Sequence, residues 1–525
     1  MQRMTRRFLL RAIGTAAGSA AAYRTMEALG MVAASAKTSK LVDLAAGSPG
    51  KGKRVVILGA GVAGLVTAWE LSQAGWDCVV LEASNRVGGR SLTVRSGDIL
   101  HEGALRQDVC FDPEDHLYAN LGPARIPHHH RALLGYCKAF GIELEVFTND
   151  NRAALFHDSR SFAGKPVTAR RVMTDVQGYL SELLAKAVGR GALDRELTAE
   201  DKERILNMLK ESGDLKGENL IYEGSGRSGY RDRDNAGFAG GGEPEAPLDL
   251  GELLTSDFWE YKLHFSQFLN QNPTLFQPIG GMDAIPRAFE RRVGHLVRLG
   301  CHVQQLRRTS TGVRILFRNA QGTTEAIEGD FAICTIPTPV LKDIPNDFSA
   351  TTQHAIQSLE FVESVKIAFQ ARRRFWEEDQ AIYGGISWTN QDITQVWYPA
   401  NGYHREKGVV LGAYIWDREP GLRYSEMTGT ERLKQALAEG EKLHPGYTTE
   451  MECGVSYAWV NAPLQKGAWA RETESVEEAA AVLREPDGPF YFAGSQVTAL
   501  PGWQEGAVLS AHAALNGIHD RSVAN

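Results

Sequence analysis

Two periodicities divide this chain. Residues 55–58 (VVIL) form a short, β-branched run with no polar break, the mark of a strand buried on both faces, and residues 78–81 (CVVL) repeat it. Between them residues 65–71 predict a helix that Gly75 stops. Farther along, residues 285–293 read as an apolar-periodic helix, and 301–306, 314–317 and 331–336 as strands. Residues 365–369 alternate as a half-buried strand does, with Lys366 the lone charge. Residues 490–492 predict a last strand, before an Ala-rich helix expected to reach Gly517. Residues 172–188 and 197–212 carry helical spacing, and 224–247 form a glycine- and charge-rich loop.

The turn after the first strand carries Gly59, Gly61 and Gly64 in G-x-G-x-x-G register. The first allows a tight turn, the second lets backbone approach a pyrophosphate, and the third lets the helix lie close on the sheet. That helix offers its positive N-terminal end to phosphates. Glu82 ends the second strand, where a carboxylate accepts hydrogen bonds from an adenosine ribose and repels a 2′-phosphate. Strand, glycines, helix, strand and terminal acid together predict a dinucleotide-binding unit.

Arg86, Gly88, Gly89 and Arg90 follow at once, where a nicotinamide dehydrogenase would continue into a helix. This E-A-x-x-R-x-G-G-R stretch resembles the FAD signature of the flavin amine oxidases, the family of monoamine, polyamine and L-amino acid oxidases. The resemblance implies that the glycine pair passes close to the cofactor and that arginine helps hold its phosphates. P-I-G-G-M-D and A-I-C-T-I-P, at 278–283 and 332–337, resemble the family's second cofactor block, in which the backbone at Val303 meets the adenine edge. The third block is F-Y-F-A-G-S at 490–495 with G-W-Q-E-G-A at 502–507, bringing Gly494, Ser495, Gly502 and Trp503 to the flavin. Family members commonly carry Glu where this chain has Ser495, so a hydroxyl must serve there. Monoamine oxidases attach FAD through a cysteine upstream of this block; residues 465–469 (QKGAW) have none, which implies a non-covalent flavin.

Substrate residues come from the same resemblance. A-N-L-G-P-A-R-I-P at 119–127 resembles the L-amino acid oxidases, where its arginine, here Arg125, meets the substrate carboxylate. A guanidinium suits that task because its planar fork pairs two oxygens at once. Lys366 matches a lysine that holds a water near the flavin's reactive nitrogen. Tyr414 matches a tyrosine that donates to the carboxylate, and Trp503 with Gly502 matches the wall beside the amine. The catalytic set is therefore Lys366, Arg125, Tyr414 and Trp503. His128, His129 and His130 point in different directions and lack spaced carboxylates, so they are read as partly solvated positions at a helix start rather than as a metal site.

Composition narrows the setting. A chain of 525 residues exceeds one ordinary core. A net charge of −7 argues against nucleic acid or an anionic membrane as partner. The six cysteines are scattered with no C-x-x-C, so neither zinc nor a redox dithiol is expected, and Cys78 and Cys334 read as core filling. Residues 5–10 (TRRFLL) resemble a twin-arginine export signal with an A-S-A cleavage pattern before Lys37, implying a periplasmic or secreted protein, and otherwise a cytoplasmic one. No run is long enough to span a bilayer.

The expected architecture is α/β: a discontinuous FAD-binding Rossmann-like domain, an α+β substrate-binding domain and a helical insertion. The cofactor segments fall at 50–110, 273–360 and 476–520, the substrate segments at 111–163 and 361–475, the insertion at 164–272, and the export signal at 1–36. The implied reaction is oxidation of an L-α-amino acid with molecular oxygen to a 2-oxo acid, ammonia and hydrogen peroxide, by a homodimer or higher homo-oligomer. A monoamine or polyamine oxidase, an amino-acid 2-monooxygenase and a non-catalytic flavin-binding interaction protein remain alternatives.

Overall fold

A computed structural model describes residues 41–46, 50–231 and 242–524; the leader and the centre of the glycine-rich loop lie outside the described residues. The chain builds an α/β fold around a five-stranded sheet, in the order Val297–Arg298, Asp77–Leu81, Arg54–Leu58, Phe331–Cys334, Phe490–Phe492. All its pairings are parallel. The unbroken apolar runs have a direct cause. Val55 and Ile57 face a core shared with the helices Val62–Gln73, Ala284–Val293 and Gln504–Ala524, while Val56 and Leu58 face a second core under the antiparallel strands His302–Arg308 and Val313–Arg318. Cys78 and Val80 against Val79 and Leu81 divide in the same way.

The last helix runs to Ala524 rather than ending at Gly517. Glycine at 517 serves a close approach, since a Cβ there would stand 2.8 Å from the Tyr491 ring, so it is no stop signal. The strand Thr324–Gly329 had no apolar signature because it is mostly exposed at the edge of its sheet.

A seven-stranded sheet forms the second layer, in the order Val167–Thr168, Leu155–His157, Ile386–Thr389, Gln395–Trp397, Gly408–Ile415, Val365–Ala371, Met451–Ala458. The strand Val365–Ala371 is buried along its whole length, not half-solvated as its alternation implied. One face packs on the helix Gly429–Gly440, and the other, carrying Lys366, turns toward the loop at residues 119–127. The helices Ala169–Gly189 and Ala199–Gly213 form the insertion, the second begun by a capping box between Thr198 and Asp201.

Two links tie residues 99–110 to the seven-stranded sheet and its helix Gly429–Gly440. Arg432 and Glu102 form a bidentate pair at 2.7 and 2.8 Å, both side chains 1% exposed, and Glu102 also accepts from Ala458 N and Asn461 Nδ2. Cys110 and Cys453 form a disulfide across 343 residues, a pairing their scatter concealed. Cys78, Cys137, Cys301 and Cys334 are free and buried. Among the described residues no helix is long and apolar enough to cross a membrane.

Removing one member of a buried pair strands the other charge. Glu102→Ala is expected to cost about 3–5 kcal/mol, read as a lower denaturation midpoint than that of the unaltered protein.

Candidate active site

The two glycine signatures meet in space. Gly88 N donates to Ala60 O at 2.8 Å, and a Cβ on Gly89 would stand 3.4 Å from Gly61 Cα. Gly64 packs so closely that a Cβ would lie 2.0 Å from Gly59 O. Gly61 is different: its φ of −69° suits any residue, and a Cβ would meet nothing within 4 Å. Its missing side chain leaves open a cavity at the N-terminus of the helix Val62–Gln73. Glu82 bridges the turns, accepting from Ala60 N at 2.6 Å and Ser84 N at 2.8 Å.

The cavity has a volume of about 240 Å³ and opens to solvent. Of the residues singled out in the sequence, Gly59, Gly61, Glu82, Gly88, Gly89, Arg90, Val303, Lys366, Tyr414, Gly494, Ser495, Gly502 and Trp503 line it. Gly64 stands behind this wall. Arg86 faces an adjoining cavity, and its guanidinium donates to Val87 O and Gly89 O, clasping its own loop. Arg90 instead reaches across the chain, donating to Ala468 O at 2.8 Å and lying 3.5 Å from Ser495 Oγ. Burial pushes its pKa down to about 10.

Lys366 sits between Tyr414 and Tyr457 on the neighbouring strands and is 3% exposed. Its Nζ donates to Gly122 O at 2.6 Å and Asn120 O at 3.3 Å, while Trp459 Nε1 donates to Leu121 O at 2.9 Å. Three consecutive carbonyls of the 119–127 loop are thus held from the seven-stranded sheet and the turn that follows it. Burial, and then the positive charge of Arg125, pushes the Lys366 pKa down to about 7. Tyr414 has its ring centroid 4.4 Å from Lys366 Nζ, and burial raises its hydroxyl to about 12.

Arg125 stands beside the cavity, behind Trp503. Its Nε and Nη2 both donate to Gln271 Oε1, and the rings of Trp397 and Trp503 lie 4.7 and 5.4 Å from its guanidinium carbon. Among the described residues it forms no ion pair, and desolvation lowers its pKa to about 10. His130 is buried rather than partly solvated: it stands edge-on to Trp503 at 5.1 Å, and burial holds its pKa near about 4. No group of His, Cys, Asp or Glu among the described residues is arranged to hold a metal.

Sequence reasoning passed over several groups at this site. Ser364 Oγ and Gln504 Oε1 are buried at the cavity without a hydrogen-bond partner, two orphaned polar atoms awaiting a ligand. Gln504 was within reach, as a variable position of G-W-Q-E-G-A. Glu505, the next residue, accepts from Ala132 N and Leu133 N and so caps the helix Arg131–Phe140 that follows the substrate loop. Gln271 carried no signal at all. Together the open Gly61 cradle, the helix N-terminus, the unpaired Arg90 and the orphaned acceptors fit a dinucleotide cofactor with an anionic centre.

Residues 62–516 match the sequence profile of the flavin containing amine oxidoreductases. The L-amino-acid oxidase of Siganus canaliculatus is 26% identical over 90% of this chain and 86% of its own length. The flavin-dependent L-tryptophan oxidase of Lentzea aerocolonigenes is 27% identical over 89% and 98%. Among solved structures, putrescine oxidase bound to putrescine aligns with a TM-score of 0.58 at 20% identity, over 90% of this chain and 99% of that one. Cyclohexylamine oxidase from Brevibacterium oxydans aligns at 0.60 and 16%, over 89% and 99%. These alignments share the fold, and the profile implies a flavin.

Two expectations follow. Gly61→Val should leave the fold intact by circular dichroism yet purify largely without flavin, because the new side chain enters the cavity and no backbone strain. The pH profile of turnover should carry an inflection near about 7 that Lys366→Met abolishes. Arg125→Met removes a neighbouring positive charge, eases protonation of Lys366, and should move that inflection upward in any residual activity.

Proposed function

The chain belongs to the flavin containing amine oxidoreductase family, and on that premise we propose that it oxidises L-α-amino acids with non-covalently held FAD. The observation that carries this reading is the enclosed guanidinium of Arg125 with no carboxylate partner among the described residues. Removing a cation from water is costly unless an anion compensates. An amino-acid substrate brings that anion with it, whereas a simple amine would add a second positive charge.

In this reading Arg125 pairs with the substrate carboxylate and Tyr414, protonated at neutral pH, donates a hydrogen bond to it. Gly502 and Trp503 wall the side on which the amine sits. Lys366 keeps the 119–127 loop in register and holds or releases a proton at Nζ near neutrality. Glu82, Gly61, Gly89 and Arg90 hold the nucleotide, with Val303 at the adenine end. FAD, when bound, supplies a two-electron acceptor for the Cα–H hydride and passes the electrons to dioxygen, giving hydrogen peroxide. The imino acid product hydrolyses in water to a 2-oxo acid and ammonia. The residues' main contribution is orientation. Residues 465–469 line the far side of the cavity at Gln465, Ala468 and Trp469 and contain no cysteine, which supports a flavin bound without a covalent link. The Cys110–Cys453 bridge supports export to an oxidising compartment.

The test is a panel of L-amino acids and their decarboxylated amines, with peroxide and ammonia read together. Amino acids should yield both products, and Arg125→Met should lower their kcat/KM by about 100-fold or more, in keeping with loss of a bidentate charged pair. Peroxide from amines alone would make the chain an amine oxidase, and an amide product would make it a monooxygenase.

A further inference from the structure

Substrate-side groups converge on one short turn of the insertion. The 3-10 turn Leu269–Gln271 places two amides side by side. Asn270 Oδ1 lies 3.0 Å from His129 Nε2 and 3.1 Å from His130 Nε2, so both nitrogens carry hydrogens and donate to it. His130 in turn stands against Trp503. Gln271 is itself anchored, its carbonyl accepting from Asn149 Nδ2 at 2.7 Å.

The guanidinium of Arg125 offers five N–H groups in a fixed fork. Gln271 Oε1 takes Nε–H and one hydrogen of Nη2, which is one edge of that fork. Nη1 makes no hydrogen bond among the described residues, so the edge shared by Nη1 and Nη2 remains available for a bidentate carboxylate. We propose that Gln271 is the positioning residue of the substrate carboxylate: it fixes the rotation of the Arg125 fork while, being a neutral amide, leaving its charge uncompensated for the substrate.

Charge neutrality is the essential part. A carboxylate at this position would reach the same two hydrogens and compete with the substrate for the cation. A shortened side chain would leave the fork free to rotate between the Trp397 and Trp503 rings, which hold it by their faces without fixing its in-plane orientation. The insertion therefore completes the carboxylate site, although no sequence motif marks it.

This inference rests on the L-amino acid reading, and its test separates the two. Flavin-loaded Gln271→Ala, Gln271→Glu and Arg125→Met are compared with the unaltered enzyme, using one accepted L-amino acid, its decarboxylated amine, and benzoate as a carboxylate probe followed by flavin absorbance and thermal shift. For Gln271→Ala, KM for the amino acid and Kd for benzoate should each rise about tenfold with kcat changed less than about threefold, the pattern of lost ground-state binding. Gln271→Glu should raise both further, to about 100-fold, and lower the amino acid-to-amine ratio of kcat/KM. A merely structural role would lower kcat, flavin content and both substrates together. Unchanged KM and Kd in both Gln271 variants, with Arg125→Met inactive on amino acids, would overturn the role of Gln271 alone. Undiminished amino-acid turnover by Arg125→Met would instead remove the reading beneath it.

Discussion

Arg90 and Lys366 line one cavity and Arg125 stands beside it, and none of the three forms an ion pair among the described residues. Desolvating such a charge costs on the order of several kcal/mol. Elsewhere the fold avoids that cost: Arg432 has Glu102, and Arg374 has Glu377. The contrast sorts charged residues by purpose. The paired arginines are neutralised where they stand, Arg432 across a long sequence separation and Arg374 within its own turn, whereas Arg90 and Arg125 are not. Carbonyl oxygens, the amide oxygens of Gln271 and Gln496 and the Ser495 hydroxyl orient these cations, and none of these groups neutralises them.

That arrangement depends on joining distant segments at close range. The two glycine turns must meet, Gly61 beside Gly88 and Gly89, and it is at 88 and 89, with positive φ and close neighbours, that a side chain is disfavoured. The substrate loop needs its carbonyls held by Lys366 and Trp459 from another sheet. Cofactor and substrate regions also share Glu505, which belongs to the Gly502–Ala507 motif yet caps the helix that follows Arg125's loop. Moving either region would disturb the other.

What was legible in the sequence follows the same division. Backbone constraints are written as glycine, so Gly59, Gly61, Gly64, Gly88 and Gly89 announce the cradle, and two-sided burial is written as unbroken apolar runs. The loop around Arg125 stood out in the sequence through its prolines, and the structure sets Arg125 beside the cavity against Trp503. Roles created by tertiary contact were not legible. Arg86 and Arg90 look equivalent in sequence, yet one clasps its own loop and the other crosses to Ser495. The position of Lys366 implied a half-solvated strand until a second layer covered it. Gln271 and the Cys110–Cys453 pair make their contacts with residues more than a hundred positions away, and no local pattern records that.

The parallel sheet has a consequence for biosynthesis. Its central strand, Arg54–Leu58, comes near the start of the chain, but the edge strand Phe490–Phe492 and the helix that covers it come near the end. While the polypeptide grows, the first βαβ segment has a cradle with one wall missing. That compartment can close only after residues 490–524 have been made, so its walls are set by the pairing of segments more than four hundred residues apart rather than by the first-made one.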